Sequence, residues 1–127
     1  MTPDEFRADT HLAIKSIENV IGKRVTYYRA PTFSITENNK WALEILAEEG
    51  ITTDCSIFPS SRSFGGFPSF KENLPSIINV NGKSIREFPI SYVTRFGKRL
   101  MFSGGGYFRL FPYSLIKKMM KETDYNM

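Results

Sequence analysis

The segment VTYYRAPTFSITENNKWALEILAEEGITTDCSI, residues 25–57, holds a strand, a helix and a second strand in one short run. Val25 to Tyr28 is a β-branched and aromatic run, which is typical of a strand, and Ile51 to Ile57 is another. Between them Thr36 suits a helix N-cap, and apolar residues then recur at helical spacing until Gly50. Because strand, helix and strand with short joints form a βα unit, the segment predicts parallel strands in an α/β fold.

Local signals on either side of this segment predict a first helix and a hairpin. Thr2 and Glu5 have the spacing of a capping box, and Gly22 is well placed to end the helix that follows. Asn81 and Gly82 separate two strand-like runs, which is the strongest hairpin signal in the sequence. A helix at the N-terminus, before the first strand, is unusual for a repeat of βα units.

The remaining segments are a predicted loop, an extended run and a final helix. Residues 59–75 are rich in Ser, Gly, Pro and Phe and predict a long loop. An extended run, Leu100 to Ser103, leads into the triple glycine of SGGGYF, which lacks the pattern of a phosphate loop. Three glycines are more typical of a backbone that passes close to a ligand or to another strand. Tyr113 or Ser114 begins a basic, Met-rich helix.

Composition is that of a single globular domain with a moderate excess of positive charge. The 127 residues carry 17 basic and 13 acidic side chains, a net charge of +4. The densest basic cluster, Lys117, Lys118 and Lys121, resembles the wet face of a helix, so nucleic-acid binding is not expected. Cys55 is the single cysteine, which leaves no internal disulfide or thiolate metal cluster. No apolar run approaches the ~20 residues of a membrane span, and a cytoplasmic protein is expected if Met1 is the true start.

Arg29 and Asp54 are the residues on which a site is most readily predicted. Each lies at or near the end of a predicted parallel strand, one βα unit apart, at the sheet edge where α/β proteins build their sites. The pair predicts either a carboxylate that orients the planar guanidinium or a plain structural salt bridge. His11, the single histidine, lies within the first helix and is expected to be a helix-face residue rather than a metal ligand.

YYRAPTFSITENNKWALEILAEEGITTDCSIFPS, residues 27–60, resembles the polysaccharide deacetylase (NodB-homology) family of carbohydrate esterases, in its branch linked to exopolysaccharide export and sortase loci. The segments REFPISYV and SGGGYFRLFPYSLIKK are similar to later segments of that branch, in the same order. The resemblance implies a partial, distorted (β/α) barrel with an inserted β-hairpin, formed by residues 1–127 as one domain. It implies hydrolysis of N- or O-acetyl groups on a carbohydrate polymer or oligosaccharide by a divalent metal, usually zinc.

The resemblance also implies roles for individual residues. Arg29 matches the arginine that holds the catalytic base, an aspartate, and Asp54 matches the aspartate that orients this arginine. Walls of the substrate groove are implied at Pro31, Phe33, Ile57 and Phe58. The family's base and metal-binding segments are expected before Met1, and its acid-bearing Leu-His segment is expected after Met127. This chain is therefore expected to be a piece of a longer deacetylase, inactive alone and without a metal site of its own.

Two other interpretations stay open. The first is a non-catalytic carbohydrate-binding remnant, because aromatic faces stack on sugar rings, although aromatic side chains more often pack a core. The candidates in Gly-rich stretches are Phe64, Phe67, Phe70, Tyr107 and Phe108. The second is a self-associating remnant that forms a homodimer through exposed sheet edges.

Overall fold

A computed structural model describes residues 1–61 and 65–127, which form a mixed α/β structure. The helices are α1 (Pro3–Ile21), α2 (Trp41–Glu48), α3 (Gly105–Leu110) and α4 (Tyr113–Lys121). The strands are β1 (Tyr27–Tyr28), β2 (Thr53–Asp54), β3 (Ser76–Val80), β4 (Lys83–Glu87), β5 (Tyr92–Arg95) and β6 (Lys98–Met101). Two 3-10 turns, Pro31–Phe33 and Glu37–Asn39, connect β1 to α2. Among the described residues, no helix combines the length and the apolar character needed to cross a membrane.

The main sheet has the order β1-β2-β4-β3. Strands β1, β2 and β4 are parallel, and β3 runs antiparallel to β4 as the other arm of a hairpin. The α/β prediction is therefore confirmed, and so is the hairpin at Asn81 and Gly82. Residues 1–61 and 65–127 form no closed barrel, and the β5–β6 hairpin is a separate two-stranded sheet. In the parallel register Asp54 lies opposite Glu87.

Helix boundaries agree with the sequence where the signals are local. Thr2 accepts from the Glu5 backbone N–H, Glu5 accepts from the Thr2 N–H, and the chain turns left-handed at Gly22. Thr36 forms a similar box with Asn39, but the first turn is a 3-10 helix and α2 begins only at Trp41. A capping signal fixes the start of a helical segment but not its hydrogen-bond pattern, since 3-10 turns are frequent at helix starts.

Three sequence expectations differ from the structure. The first two strands are shorter than predicted, two residues each, because a ladder forms only where a partner strand is present. The triple glycine begins α3, and a Cβ at Gly105 or Gly106 would meet no atom within 4 Å, so no other strand passes close to these two positions. The run after Phe88 divides at Pro89, and its second part pairs with residues 98–101 as the β5–β6 hairpin.

Three apolar clusters hold the described elements together. Helix α2 packs on the main sheet through Leu43 and Leu46, which are buried with Ile51 and Ile85. A second layer joins the β5–β6 hairpin to α4 through Val93, Phe102, Ile116 and Met119. A third cluster, of Phe58, Ile90, Tyr92 and Met101, has Phe33 and Tyr107 packed against it. It lies beside Arg29 at the strand ends, where the site is built.

Arg99 holds the long loop that follows β2. Its Nη1 donates to the carbonyl oxygens of Pro59 at 2.6 Å, Phe70 at 3.0 Å and Pro68 at 3.2 Å. The guanidinium also lies over the Tyr92 ring, 5.2 Å from its centroid. One cation on β6 therefore fixes both ends of the described loop, as a planar group with several donors can.

Candidate functional site

A chain of buried hydrogen bonds runs beneath the strand ends of β1, β2 and β4. The Ala30 backbone N–H donates to Ser56 Oγ at 2.7 Å, and Ser56 Oγ donates to Asp54 Oδ1 at 2.6 Å. The Ser56 backbone N–H donates to Asp54 Oδ2 at 3.2 Å. Glu87, on the neighbouring strand β4, accepts a hydrogen bond at Oε1 from the Ile57 N–H, at 3.2 Å. Asp54, Ser56 and Glu87 are each completely buried.

Asp54 and Glu87, opposite each other on β2 and β4, form a buried carboxyl pair. Burial raises the pKa of both groups, and the negative charge of Asp54 raises the pKa of Glu87 further. Asp54 accepts two hydrogen bonds from Ser56, whereas Glu87 Oε2 has no donor in the described structure. Asp54 is therefore the ionised member, and Glu87 is the acid whose O–H donates to it. A proton on Glu87 removes the second negative charge from a site where Oε2 has no donor to compensate it.

Arg29 occupies the mouth of this edge but does not pair with Asp54. Its guanidinium lies over the Phe33 ring with Cζ 4.8 Å from the ring centroid. The predicted ion pair between Arg29 and Asp54 is not formed among the described residues, because the Asp54 oxygens are turned inward to Ser56 and Glu87. Asp54 reaches the arginine only through Ser56 and the backbone of Ala30. Asp54 therefore acts on Arg29 indirectly, by helping to fix the position of the backbone next to Arg29.

The cavity beside Arg29 has a volume of about 410 Å³, within the range of small-molecule sites. Its walls include Phe33 and Phe58, whose ring centroids are 5.5 Å apart, and Tyr107. Residues 104–106 line it with backbone, without side chains. The cavity is thus lined by a cation, by aromatic rings and by glycine backbone. This combination suits a ligand that is both flat and polar, such as a sugar ring.

The other residues of the predicted groove are distributed differently. Pro31 lines a neighbouring cavity of about 600 Å³, on the other side of Arg29. Ile57 is completely buried, so its role in this structure is structural: it donates its backbone N–H to Glu87. Of the aromatic candidates, Phe67 and Phe70 pack edge to face with centroids 6.2 Å apart. Phe108 is half exposed, and Phe64 lies outside the described residues.

The last residues of the chain close one side of the edge. Ser91 Oγ donates to the Tyr125 carbonyl at 3.2 Å and accepts from the Met127 N–H at 2.9 Å. Burial raises the pKa of Tyr125 to about 12. With Phe102 and Ser103, residues 126–127 line a further cavity of about 290 Å³ that also opens on Arg29. Arg29 therefore borders three cavities at once.

The zinc ion implied by the resemblance does not fit the residues present. The described part of the chain contains no group of three or more His, Cys, Asp or Glu side chains that could hold a metal ion. His11 lies on α1, where its Nδ1 is 2.8 Å from Glu49 Oε2, and it is exposed as predicted for a helix-face residue. The carboxyl pair is buried and contributes two ligands at most.

Glu87 and Ser56 are the site residues that the sequence did not single out. Glu87 and Ile85 are two positions apart on β4, so they lie on the same face of the strand, and both are buried. A glutamate at an inward position of a hairpin strand is a signal that could have been used, because an acid buried beside apolar residues needs a partner. The partner is revealed only by the register that sets Asp54 opposite Glu87.

Comparison with known proteins gives one match. Residues 55–126, more than half of the chain, match the family described as "Domain of unknown function (DUF3473)". Domains of this family are associated with polysaccharide deacetylase-like proteins. The search of curated proteins and the search of solved structures each gave no match. The matched region contains Phe58, Glu87 and Tyr107, while Arg29 and Asp54 precede it.

Proposed function

This chain belongs to the DUF3473 family, and from that premise we propose that it forms the sugar-binding groove and the arginine side of a polysaccharide deacetylase site. The observation that carries the proposal is the cavity in which Arg29 lies over Phe33, beside Phe58 and Tyr107. The association of this family with polysaccharide deacetylase-like proteins supports the same substrate class. The substrate is an N- or O-acetylated sugar in an oligosaccharide or polymer.

The proposed chemistry is hydrolysis of an acetyl group. Water adds to the acetyl carbonyl, the bond from carbonyl carbon to sugar nitrogen or oxygen breaks, and acetate leaves with a free amine or hydroxyl on the sugar. In the family that the chain resembles, a catalytic base and a divalent metal, zinc, carry out this step. Arg29, held through Ala30 and Ser56, donates to that base. Asp54 and Glu87 act as positioning residues, since burial keeps them from the substrate.

The first prediction is that the chain binds an acetylated chito-oligosaccharide in this cavity. Phe33→Ala is expected to weaken binding about tenfold, since one aromatic contact contributes roughly 1 kcal/mol beyond area. Phe67→Ala is the matched control, because Phe67 lies in the neighbouring loop and does not line the cavity. Isothermal titration of both variants and the unchanged chain with N-acetylated tetramer measures the effect. Equal affinities for the two variants would contradict the proposed location.

The same titrations separate a catalytic from a binding role. We expect no acetate release from the tetramer by the 127-residue chain alone. Release at a rate above the buffer blank would show that the base and metal do not lie elsewhere. Binding with no release by any longer chain that carries these residues would favour a carbohydrate-binding protein without catalysis.

Self-association is a second candidate, supported by the open edge of the main sheet. Within the described residues β1 pairs only with β2, and the ring of Tyr27 is exposed. On α1, Ile17 and Ile21 of the apolar stripe are 47% and 52% exposed. We expect a dimer when light scattering follows the chain through a range of concentrations, and Tyr27→Pro should reduce it because proline removes a ladder donor. A monomer at every concentration would exclude this candidate.

A further inference from the structure

One segment of the chain carries all of its excess of positive over negative side chains. Residues 88–121 contain seven Lys or Arg side chains and no Asp or Glu. The rest of the chain holds the other ten basic residues and all thirteen acidic ones, a net charge of −3 against +7 for this segment. The total of +4 therefore conceals two parts of opposite sign, and the basic part is the one that can attract an anionic partner.

The fold makes this segment a single packed unit. It comprises the β5–β6 hairpin, α3 and α4, joined by the apolar layer of Val93, Phe102, Ile116 and Met119. At the far end of the hairpin, Arg95 pairs with Glu122, which follows α4. The hairpin tip is thus fixed beside the C-terminal end of α4, and the α3–α4 joint lies at its N-terminal end.

The outer face of α4 is a row of lysines. Ile116 and Met119 are buried on the inner side, while Lys117, Lys118 and Lys121 are exposed. In the part of the chain that the structure describes, none of these three lysines has an ion pair. Lys117 contacts only an aromatic ring, with Nζ 6.0 Å from the Tyr113 centroid. These charges are available for an external partner.

Large apolar side chains project at both ends of the lysine row. Phe96 is 102% exposed at the hairpin tip, and Leu110 and Tyr113 are 77% and 76% exposed at the α3–α4 joint. The nine residues of α4 separate the two groups by about 14 Å, at 1.5 Å per residue. Scattered exposed apolar residues are common, but here they flank a helix whose outer face is cationic, and Glu122, the acid at the Phe96 end, is paired with Arg95.

We propose that this unit, termed the basic face (residues 92–121), binds the surface of a membrane that contains anionic phospholipid. Lysines attract the lipid headgroups, and aromatic and leucine side chains enter the headgroup boundary, which is the combination found in proteins that lie on membranes. An acidic polysaccharide would use the lysines but has no apolar layer to receive Leu110. The proposal stands independently of the sugar site.

The test is co-sedimentation of the full chain with vesicles. Binding is expected to vesicles of phosphatidylcholine with phosphatidylglycerol and not to phosphatidylcholine alone. Lys117→Glu/Lys118→Glu/Lys121→Glu should lower the partition coefficient on the order of 100-fold, from ~1 kcal/mol per basic residue. The control reverses three exposed lysines outside the basic face, Lys23, Lys40 and Lys83, and changes the net charge equally. Circular dichroism verifies that each variant is folded.

A second variant tests the apolar part. Phe96→Ser/Leu110→Ser is expected to weaken vesicle binding about tenfold or more in high salt, where the electrostatic attraction is screened. Two results would overturn the proposal. One is equal loss from the lysine control, which would show a net-charge effect. The other is undiminished binding by Phe96→Ser/Leu110→Ser, together with equally tight binding to an acidic polysaccharide, which would show a polyanion site.

Discussion

Glu87→Gln is expected to stabilise the folded chain at alkaline pH and to remove much of its pH dependence. The pKa of Glu87 is raised from its ordinary value of 4.5 to about 10, chiefly by burial and then by the charge of Asp54. An acid with a higher pKa in the folded chain binds its proton more tightly when folded. Its stabilising contribution is complete below about 4.5 and is lost, at roughly 1 kcal/mol per pH unit, as the pH rises toward the folded value.

Glutamine reproduces the protonated acid without a proton to lose. Its carbonyl oxygen can accept from the Ile57 N–H, and its amide can donate to the Asp54 carboxylate, as the Glu87 O–H does. We expect the variant to unfold within about 1 kcal/mol of the unchanged chain at pH 5 and to be more stable by about 3 kcal/mol or more at pH 9. Urea unfolding at both pH values measures the difference.

The matched control is the same change on the other member of the pair. Asp54→Asn replaces one of the two carboxylate oxygens by an NH₂ group, so one of the two Ser56 donors, the backbone N–H at Oδ2 or the hydroxyl at Oδ1, loses its acceptor. It should cost about 1–3 kcal/mol at pH 5, where Glu87→Gln is nearly neutral, because a buried donor loses its acceptor. Equal effects of the two changes at pH 5, or a greater cost of Glu87→Gln, would mean that the proton is carried by Asp54.

The features of this fold that could be predicted from the sequence are those that depend on local signals. Capping at Thr2 and Thr36 and the turn at Asn81 were predictable because each depends on residues within three or four positions. The position of Arg29 at a parallel strand end was also predictable, since βα order fixes the direction of the strand. These features use information that the local chain contains.

Glu87 and the partners of Asp54 depend on register, which is a property of the assembled sheet. Asp54 and Glu87 are 33 positions apart in the sequence. They are adjacent only because β2 pairs in parallel with β4, one arm of the β3–β4 hairpin. An arginine and a carboxylate at the ends of neighbouring strands predict an ion pair, but the Asp54 oxygens face Ser56 and Glu87 instead. Which partners a buried charged group binds is decided by competition among the polar groups around it in the low-dielectric interior. The spacing of residues along the sequence does not reveal that competition.

The carboxyl pair also explains how a buried network can govern an exposed arginine. Ser56 joins two strands, since its Oγ accepts from the Ala30 N–H and donates to Asp54. The backbone immediately after Arg29 is therefore fixed to the floor of the site. Two non-glycine residues just beyond, Thr32 and Phe33, have φ values of 55° and 56°. Strained conformations of this kind persist where surrounding contacts impose them, and they are frequent at binding sites.

Gly65→Ala is expected to break the contact that imposes this strain. Gly65 has a φ of +77°, and a Cβ there would lie 2.3 Å from the Phe33 carbonyl oxygen and 3.1 Å from that of Thr32. Both neighbours are backbone atoms of the strained turn and cannot rotate away. The loop and the turn must separate, which also weakens the hydrogen bond from the Gly66 N–H to Phe33 O, now 3.3 Å. A loss of about 2–4 kcal/mol in the free energy of unfolding is expected.

Gly22→Ala is the control that separates steric contact from backbone preference. Gly22 has a φ of +65° at the end of α1, and a Cβ there would meet nothing within 4 Å. Only the left-handed preference is lost, about 1 kcal/mol. Because Gly65→Ala displaces Phe33 and Gly22→Ala does not, the first should also abolish oligosaccharide binding under conditions where both variants are folded, while the second leaves it intact. Equal stability losses in urea, or full binding by folded Gly65→Ala, would show that the loop does not hold Phe33 beneath Arg29.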